Sequence, residues 1–180
     1  MNYHQIDTDY YCGIDLHSKT MYVCVMDKQG KIYLHRNMHN DFDIFKRSIQ
    51  KFTPSIAVGC ETSGYYYWLA DGCRKHDIQF CLGHALYMKA ISGKKKKNDH
   101  IDSKTITDLM RSNLLPYAFT YPPDWRHTRD LLRRRHRLVR LRAEAYSYVQ
   151  ATFKQHSIMD GLSKFVKNKK ERRELIERFD

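Results

Sequence analysis

YYCGIDLH (residues 10–17) and MYVCVM (residues 21–26) decide the fold of this chain. In the first segment every second residue from Cys12 to Leu16 is apolar, which is the period of a β-strand. The second segment is apolar throughout, as is typical of a strand covered on both faces. A turn sequence, DKQG, and another alternating segment follow, so three strands are predicted between residues 10 and 36.

The rest of the chain alternates between helical and strand patterns. SIAVGC (55–60) and IQFCL (78–82) predict two more strands. Helical patterns are found at about 41–52, after residue 61, and at about 84–91, 99–114 and 124–156. This order predicts an α/β fold with a mixed five-stranded sheet and flanking helices. It divides the chain into a sheet domain (1–118) and a helical region (119–180).

The composition indicates a globular protein with an anionic partner. The 180 residues carry a net charge of +12, and 42% of them are apolar, which is enough to fill a core. DNA or RNA is the leading candidate partner, and a membrane surface is the second. No apolar stretch of about 18 residues and no secretory signal is visible. The odd set of five cysteines, without a CxxC pair, predicts buried thiols in a reducing, cytoplasmic compartment.

Four carboxylates stand out by their positions. Asp15 interrupts the first apolar strand, Glu61 directly follows the fourth, and Asp99 and Asp102 begin a helix three residues apart. If strands one and four are neighbours, Asp15 and Glu61 meet at one end of the sheet. Such a cluster favours a hard divalent cation such as Mg²⁺. As alternatives, Asp99 and Asp102 could cap the helix, and Glu61 could be a solvated acid.

Three motifs in order, GIDLHSKT (13–20), CETSGYYYWLA (60–70) and KKNDHIDSKTI (96–106), resemble the DEDD transposases of the insertion-sequence-110 type, which include the Piv-like invertases. The resemblance covers roughly residues 11–115. It implies an RNase H-like (RuvC-like) domain in which Asp15, Glu61, Asp99 and Asp102 are catalytic ligands of Mg²⁺ or Mn²⁺. Asn98 and Ser103 depart from the family pattern at positions that would not ligate metal.

The family resemblance also sets an expectation about what lies beyond the sheet domain. Family members continue into a second domain with a serine that is thought to act as the DNA nucleophile, and no such segment is visible before Asp180. We therefore expect an N-terminal part of a DNA transposase or site-specific recombinase, inactive in strand exchange by itself. It would still bind metal and nucleic acid.

Two basic segments are predicted to contact nucleic acid. The first is a loop of four lysines beside Asp99: Lys94, Lys95, Lys96 and Lys97. The second is the long predicted helix, whose candidate contacts are Arg126, Arg129, Arg133, Arg134, Arg137 and Arg140. Leu131, Leu138 and Ala145 are spaced by seven in that helix, which indicates a short coiled coil that could dimerise the chain. The resemblance adds a structured non-coding guide RNA as a further partner beside DNA, and a prokaryotic cell in which the protein acts at the nucleoid.

Several alternatives remain open from the sequence. A RuvC-like junction endonuclease and a non-catalytic nucleic-acid-binding module are the runner-up functions. An actin-like ATPase is disfavoured, because no adenosine-binding glycine motif follows GIDLHSKT. Cys73-x-x-His76 and Cys81-x-x-His84 form a weak zinc pattern. For base stacking, Tyr66 and Tyr67 are predicted to be the exposed pair, with Tyr65 and Trp68 packed in the core.

Overall fold

The structure is a computed structural model that describes residues 2–92 and 99–157, with the backbone alone at residues 92 and 99–101. The chain forms two compact units, Met1–Thr120 and Tyr121–Asp180. The first contains the sheet and the second contains one long helix. Each unit is described by itself below.

A five-stranded mixed sheet is the centre of the first unit. Its strands are β1 (Tyr10–Leu16), β2 (Thr20–Asp27), β3 (Ile32–His39), β4 (Ile56–Glu61) and β5 (Gln79–Gly83). They lie in the order β3-β2-β1-β4-β5. β1 is antiparallel to β2 and parallel to β4, and β4 is parallel to β5. This arrangement, with hairpin strands first and helical crossovers after them, confirms the mixed RNase H-like sheet predicted from the sequence.

Helices cover both faces of the sheet. They are α1 (Phe42–Ile49), α2 (Tyr67–Lys75), α3 (Ala85–Ser92) and α4 (Asp99–Arg111), with a 3-10 turn at Gln50–Phe52. Asp41 caps α1 by accepting a hydrogen bond from the backbone N–H of Ile44 at 2.9 Å. α4 ends at Arg111, earlier than predicted, because Asn113 has a positive φ of 56° that no helix continues.

The prediction for the tyrosine run was wrong at Tyr65, Tyr66 and Tyr67, and it was right at Trp68. Tyr66 is only 5% exposed, whereas Tyr65 is 53% exposed. The reason is that α2 begins at Tyr67, so Tyr65 precedes the helix and lies outside its apolar face. Tyr67 and Trp68 are partly buried against the core.

Alternation along β1 separates two cores. Ile14 and its alternating neighbours pack with Phe45 of α1 and Leu69 of α2 on one face. On the other face, Tyr11 packs with the apolar side of α4, including Met110. All five cysteines are buried and free. Burial raises the pKa of the Cys73 and Cys81 thiols to about 12, so both are protonated at neutral pH.

Glycine allows α4 to lie directly on the sheet. A Cβ at Gly13 would stand 2.5 Å from both the Ser103 carbonyl oxygen and the Thr107 backbone nitrogen. The Thr107 hydroxyl accepts a hydrogen bond from the Gly13 N–H at 3.1 Å and donates to main-chain oxygens of Cys24 (3.2 Å) or Ser103 (2.9 Å). These contacts fix the height of α4 above β1.

The direction of α4 follows from its two ends. Arg111, the last residue of α4, donates a hydrogen bond to the Lys28 carbonyl oxygen at 3.4 Å. Lys28 follows β2, whose last residue Asp27 pairs with Tyr10 at the start of β1. The C-terminal end of α4 therefore lies near the start of β1. Its N-terminal end points toward the carboxyl end of β1.

The second unit contains α5 (Pro123–Gln155), a helix of 33 residues. Its predicted seam is exposed, since Leu131 and Leu138 are 65% and 57% exposed.

Over the described residues, no helix is both long and apolar enough to cross a membrane.

Candidate metal-binding site at the carboxyl edge of the sheet

Asp15 is a buried acid near the carboxyl end of β1. It is 7% exposed and has the same strand parity as Gly13, which contacts α4. Because side chains alternate along a strand, Asp15 faces the α4 side of the sheet. An isolated carboxylate at such a position is costly unless a cation or hydrogen bonds compensate its charge. Asp15 is therefore a buried acid on the α4 face of the sheet.

Glu61 is the lateral neighbour of Asp15. The parallel register pairs Ile14 of β1 with Cys60 of β4, so the next position sets Asp15 beside Glu61. Neighbouring strands lie about 4.8 Å apart. Glu61 lies two residues after Gly59 on β4, so both point to the same face of the sheet. That face is covered by α4, because a Cβ at Gly59 would stand 3.1 Å from the Met110 methyl carbon. Both carboxylates therefore lie at the same edge and on the same face of the sheet.

His17 contacts Asp15 from the turn between β1 and β2. Its Nε2 lies 3.2 Å from the Asp15 Oδ2. The turn is held by the His17 N–H, which donates to the Thr20 carbonyl oxygen, and by the Asn40 side-chain amide, which donates to the His17 carbonyl oxygen at 2.7 Å. The imidazole therefore stands beside one oxygen of the Asp15 carboxylate. From the sequence, only the proximity of His17 to the acids pointed to this contact.

The first turn of α4 is positioned toward the same edge. Asp99 lies one helical turn before Ser103, which is about 6 Å along the axis. Asp15 lies two residues beyond Gly13, which is about 6.6 Å along β1. Since Ser103 contacts Gly13, the start of α4 reaches the level of Asp15. Asp102 is half-buried, and the Asp99 side chain is not among the described parts.

The described side chains do not form a closed metal cluster. Among them, no three His, Cys, Asp or Glu residues stand close enough together to hold a metal ion. Two adjacent carboxylates nevertheless fit a hard cation, because Mg²⁺ takes only one or two carboxylates from protein and completes its shell with water and phosphate oxygens. The donor set therefore fits Mg²⁺ or Mn²⁺.

The zinc pattern is not assembled in the described part of the chain. Cys73 and Cys81 are buried, and the His76 ring stacks on Phe42 with centroids 5.4 Å apart. Both cysteines are packed in the core instead, and His76 packs on Phe42, the first residue of α1.

The predicted basic residues fall into three groups. Lys94, Lys95, Lys96 and Lys97 lie outside the described residues. Arg126 and Arg129 make contacts within the second unit: Arg126 donates to the Tyr121 carbonyl oxygen at 3.0 Å, and the Arg129 guanidinium lies 4.7 Å from the Tyr121 ring centre. The remaining four are exposed on α5, namely Arg133, Arg134, Arg137 and Arg140.

Comparison with known protein families gives one match. The profile of the insertion-sequence-110 DEDD transposases, described as transposase, matches residues 12–158. The match begins three residues before Asp15 and runs beyond α5, so it spans the sheet, the acidic edge and the long helix. Among curated proteins, none is similar enough to match. Since the profile covers most of its length, the chain belongs to the insertion-sequence-110 family of DEDD transposases.

Proposed function

We propose that the carboxyl edge of the sheet is the metal-dependent site at which this transposase cleaves and transfers DNA strands. The observation that carries the proposal is the register of β1 and β4, which sets Asp15 beside Glu61 on the α4 face. The family membership supplies DNA transposition as the process. Asp99 and Asp102 would complete the donor set from the start of α4.

Each residue has a separate task in this proposal. Asp15 and Glu61 would bind the cation side by side, and His17, on a hydrogen-bonded turn, stands next to the Asp15 carboxylate. Divalent cations at such a site neutralise phosphate charge and lower the pKa of a bound oxygen nucleophile. Packing of α4 on Gly13 keeps its acidic first turn at the edge. The chain's own contribution is therefore to hold its carboxylates in a fixed geometry.

Two aspartates on α4 provide a matched test of this site. Asp102→Asn should weaken Mn²⁺ binding by about tenfold or more, because a ligand at the edge is lost. Asp108→Asn is the control: Asp108 is ion-paired with Lys104 at 2.9 Å, farther along α4 and away from the edge. Calorimetric titration of both variants measures the effect. Equal Mn²⁺ affinity in the two variants would contradict a ligand role for Asp102.

The type of reaction is tested on DNA. The proposal predicts Mg²⁺-dependent strand cleavage at element ends when the chain is joined to a serine-bearing domain of the family. A junction endonuclease, the second candidate, would instead cut four-way junctions of any sequence. Cutting of four-way junctions without a preference for element ends would favour that alternative.

We further propose that α5 binds the phosphate backbone of DNA or of a structured guide RNA. The support is its exposed arginines and the net charge of +12; those arginines are Arg133, Arg134, Arg135, Arg137, Arg140 and Arg142. Its exposed seam at Leu131 and Leu138 would join two copies of the chain as a coiled coil. All of these contacts are made by the second unit alone. Since the family acts in DNA transposition, we further propose that the reaction takes place in the cytoplasm of a prokaryotic cell.

The salt dependence of nucleic-acid affinity separates direct contact between α5 and phosphates from the effect of the chain's total net charge. Changing four exposed arginines of α5 to glutamine should reduce the slope of log affinity against log salt by up to about 3.6, since each phosphate contact contributes about 0.9 for duplex DNA. The four are Arg133, Arg134, Arg137 and Arg140. The control changes four exposed cations of the first unit to glutamine: Lys46, Arg47, Arg74 and Lys75. Both variants have the net charge +12 − 4 = +8. The same slope change in both would show that total charge, and not α5, sets the affinity.

A further inference from the structure

Two pairs of aromatic rings surround the carboxyl end of β5. The rings of His84 and Tyr87 are stacked with centroids 4.4 Å apart, at an angle of 27°. The rings of His4 and Tyr117 are 5.0 Å apart and tilted by 47°. Each tyrosine is nearly half exposed, Tyr87 at 44% and Tyr117 at 46%. The two tyrosines therefore present ring surface to solvent at one end of the sheet.

Backbone hydrogen bonds tie three chain segments together beneath these rings. The His84 N–H donates to the Pro116 carbonyl oxygen, and the Tyr117 N–H donates to the Asn2 carbonyl oxygen, each at 2.9 Å. The His4 Nε2 lies 2.9 Å from the Leu82 carbonyl oxygen, which fixes the imidazole against β5. These hydrogen bonds hold the backbone that carries the rings, so little conformational entropy would be lost when a ligand stacks on them.

This surface adjoins the acidic edge. Glu61 pairs with Gly83 in the parallel register of β4 and β5, and Gly83 forms an antiparallel bridge with Tyr117. Two strand spacings of about 5 Å therefore separate the α-carbons of Glu61 and Tyr117, about 10 Å in all. Along one strand of B-form DNA, with about 3.4 Å per nucleotide, that distance is about three nucleotides, and an opened, more extended strand would cover it with fewer.

We propose that Tyr87 and Tyr117 are a stacking site for an unpaired base of the nucleic-acid strand whose phosphate lies at the carboxylate edge. This rests on the proposed function, because the acidic edge places the phosphate. A duplex hides the faces of its bases, so the site selects a strand that has been opened near the cleavage point. Stacking depends on no base-specific hydrogen bond and tolerates any sequence. The site would therefore hold the strand without choosing the target.

The test removes the rings and the bases in turn. The affinity of the full chain for a short oligothymidine, and for the same oligomer with abasic sites, is measured by fluorescence anisotropy in EDTA and at raised salt, where phosphate contacts contribute less. Tyr87→Ala combined with Tyr117→Leu should weaken binding of the intact oligomer by about fivefold to a hundredfold. Binding of the abasic oligomer should be unchanged. The control is Tyr33→Leu, since Tyr33 is 40% exposed on β3, at the opposite side of the sheet.

The outcomes separate this site from the metal site. If the double variant binds the intact oligomer as tightly as the wild type does, or loses affinity equally for the abasic one, the stacking site is refuted. Thermal melting checks that the variant is folded, and Mn²⁺ titration of the same variant should match the wild type. A wild-type chain that binds no Mn²⁺ but still distinguishes intact from abasic strands would refute the metal site and retain the stacking site.

Discussion

Asp15→Asn is expected to abolish divalent-cation binding and, in a transposase that also contains a serine-bearing domain, metal-dependent strand cleavage. Asp15 is a buried acid beside Glu61, so its carboxylate is the ligand that the edge can least replace. Loss of metal-ion stabilisation of the transition state costs several kcal/mol, and about 4 kcal/mol corresponds to a thousandfold in rate. We therefore expect cleavage to fall by about a thousandfold or more.

A binding readout makes this prediction independent of activity. A cation at one hundred times its dissociation constant stabilises the folded wild type by about 2.7 kcal/mol, so Mn²⁺ should raise the melting temperature of the wild type and leave that of Asp15→Asn unchanged. In EDTA, the variant should melt within a few degrees of the wild type, because asparagine keeps the size of the side chain. Asp7→Asn is the control, since the Asp7 side chain is 99% exposed. An unaltered Mn²⁺ response in Asp15→Asn would refute the ligand role.

Gly13→Ala is expected to be the most destabilising single methyl addition in the sheet unit. The new Cβ would meet two main-chain atoms of α4 at 2.5 Å, and main-chain atoms cannot rotate away as a flexible side chain can. Overpacking typically costs about 1–3 kcal/mol. We expect about 3 kcal/mol or more here, measured as the free energy of unfolding in urea.

Gly64→Ala is the matched control for that substitution. A Cβ at Gly64 would meet nothing within 4 Å, so this variant should unfold within about 0.5 kcal/mol of the wild type. Displacement of α4 in Gly13→Ala should also weaken Mn²⁺ binding, because the first turn of α4 would move from the edge. Similar unfolding free energies for the two variants would show that α4 does not pack on β1 as described.

The sheet could be predicted from the sequence because its signals are local. The alternation around Ile14 and the continuous apolar run of β2 each identify a strand without knowledge of its neighbours. The neighbourhood of Asp15 and Glu61 was a conditional prediction, since it required β1 and β4 to pair. Pairing depends on contacts between distant segments, which periodicity does not encode.

Other features could not be inferred from local patterns. In the sequence, Gly13 is one residue of a strand with no further signal. Its close contact with α4 becomes visible only once the position of Thr107 is known. The burial of Tyr66 depends on where α2 begins. A sequence pattern locates a helix boundary only to within one or two residues, and a shift of that size changes which tyrosine is buried and which is exposed. The stacking pairs join residues from both ends of the sheet unit, such as His4 and Tyr117.

The central claim is that one cation is shared by acids from β1, β4 and the start of α4. Anomalous diffraction from crystals of the chain grown with Mn²⁺ tests it most directly. The prediction is a manganese peak at the carboxyl edge, within about 2.0–2.5 Å of oxygen atoms of Asp15 and Glu61, with an α4 acid in its first or second coordination shell. Manganese bound only at other surfaces, with the edge empty at saturating concentration, would contradict the claim.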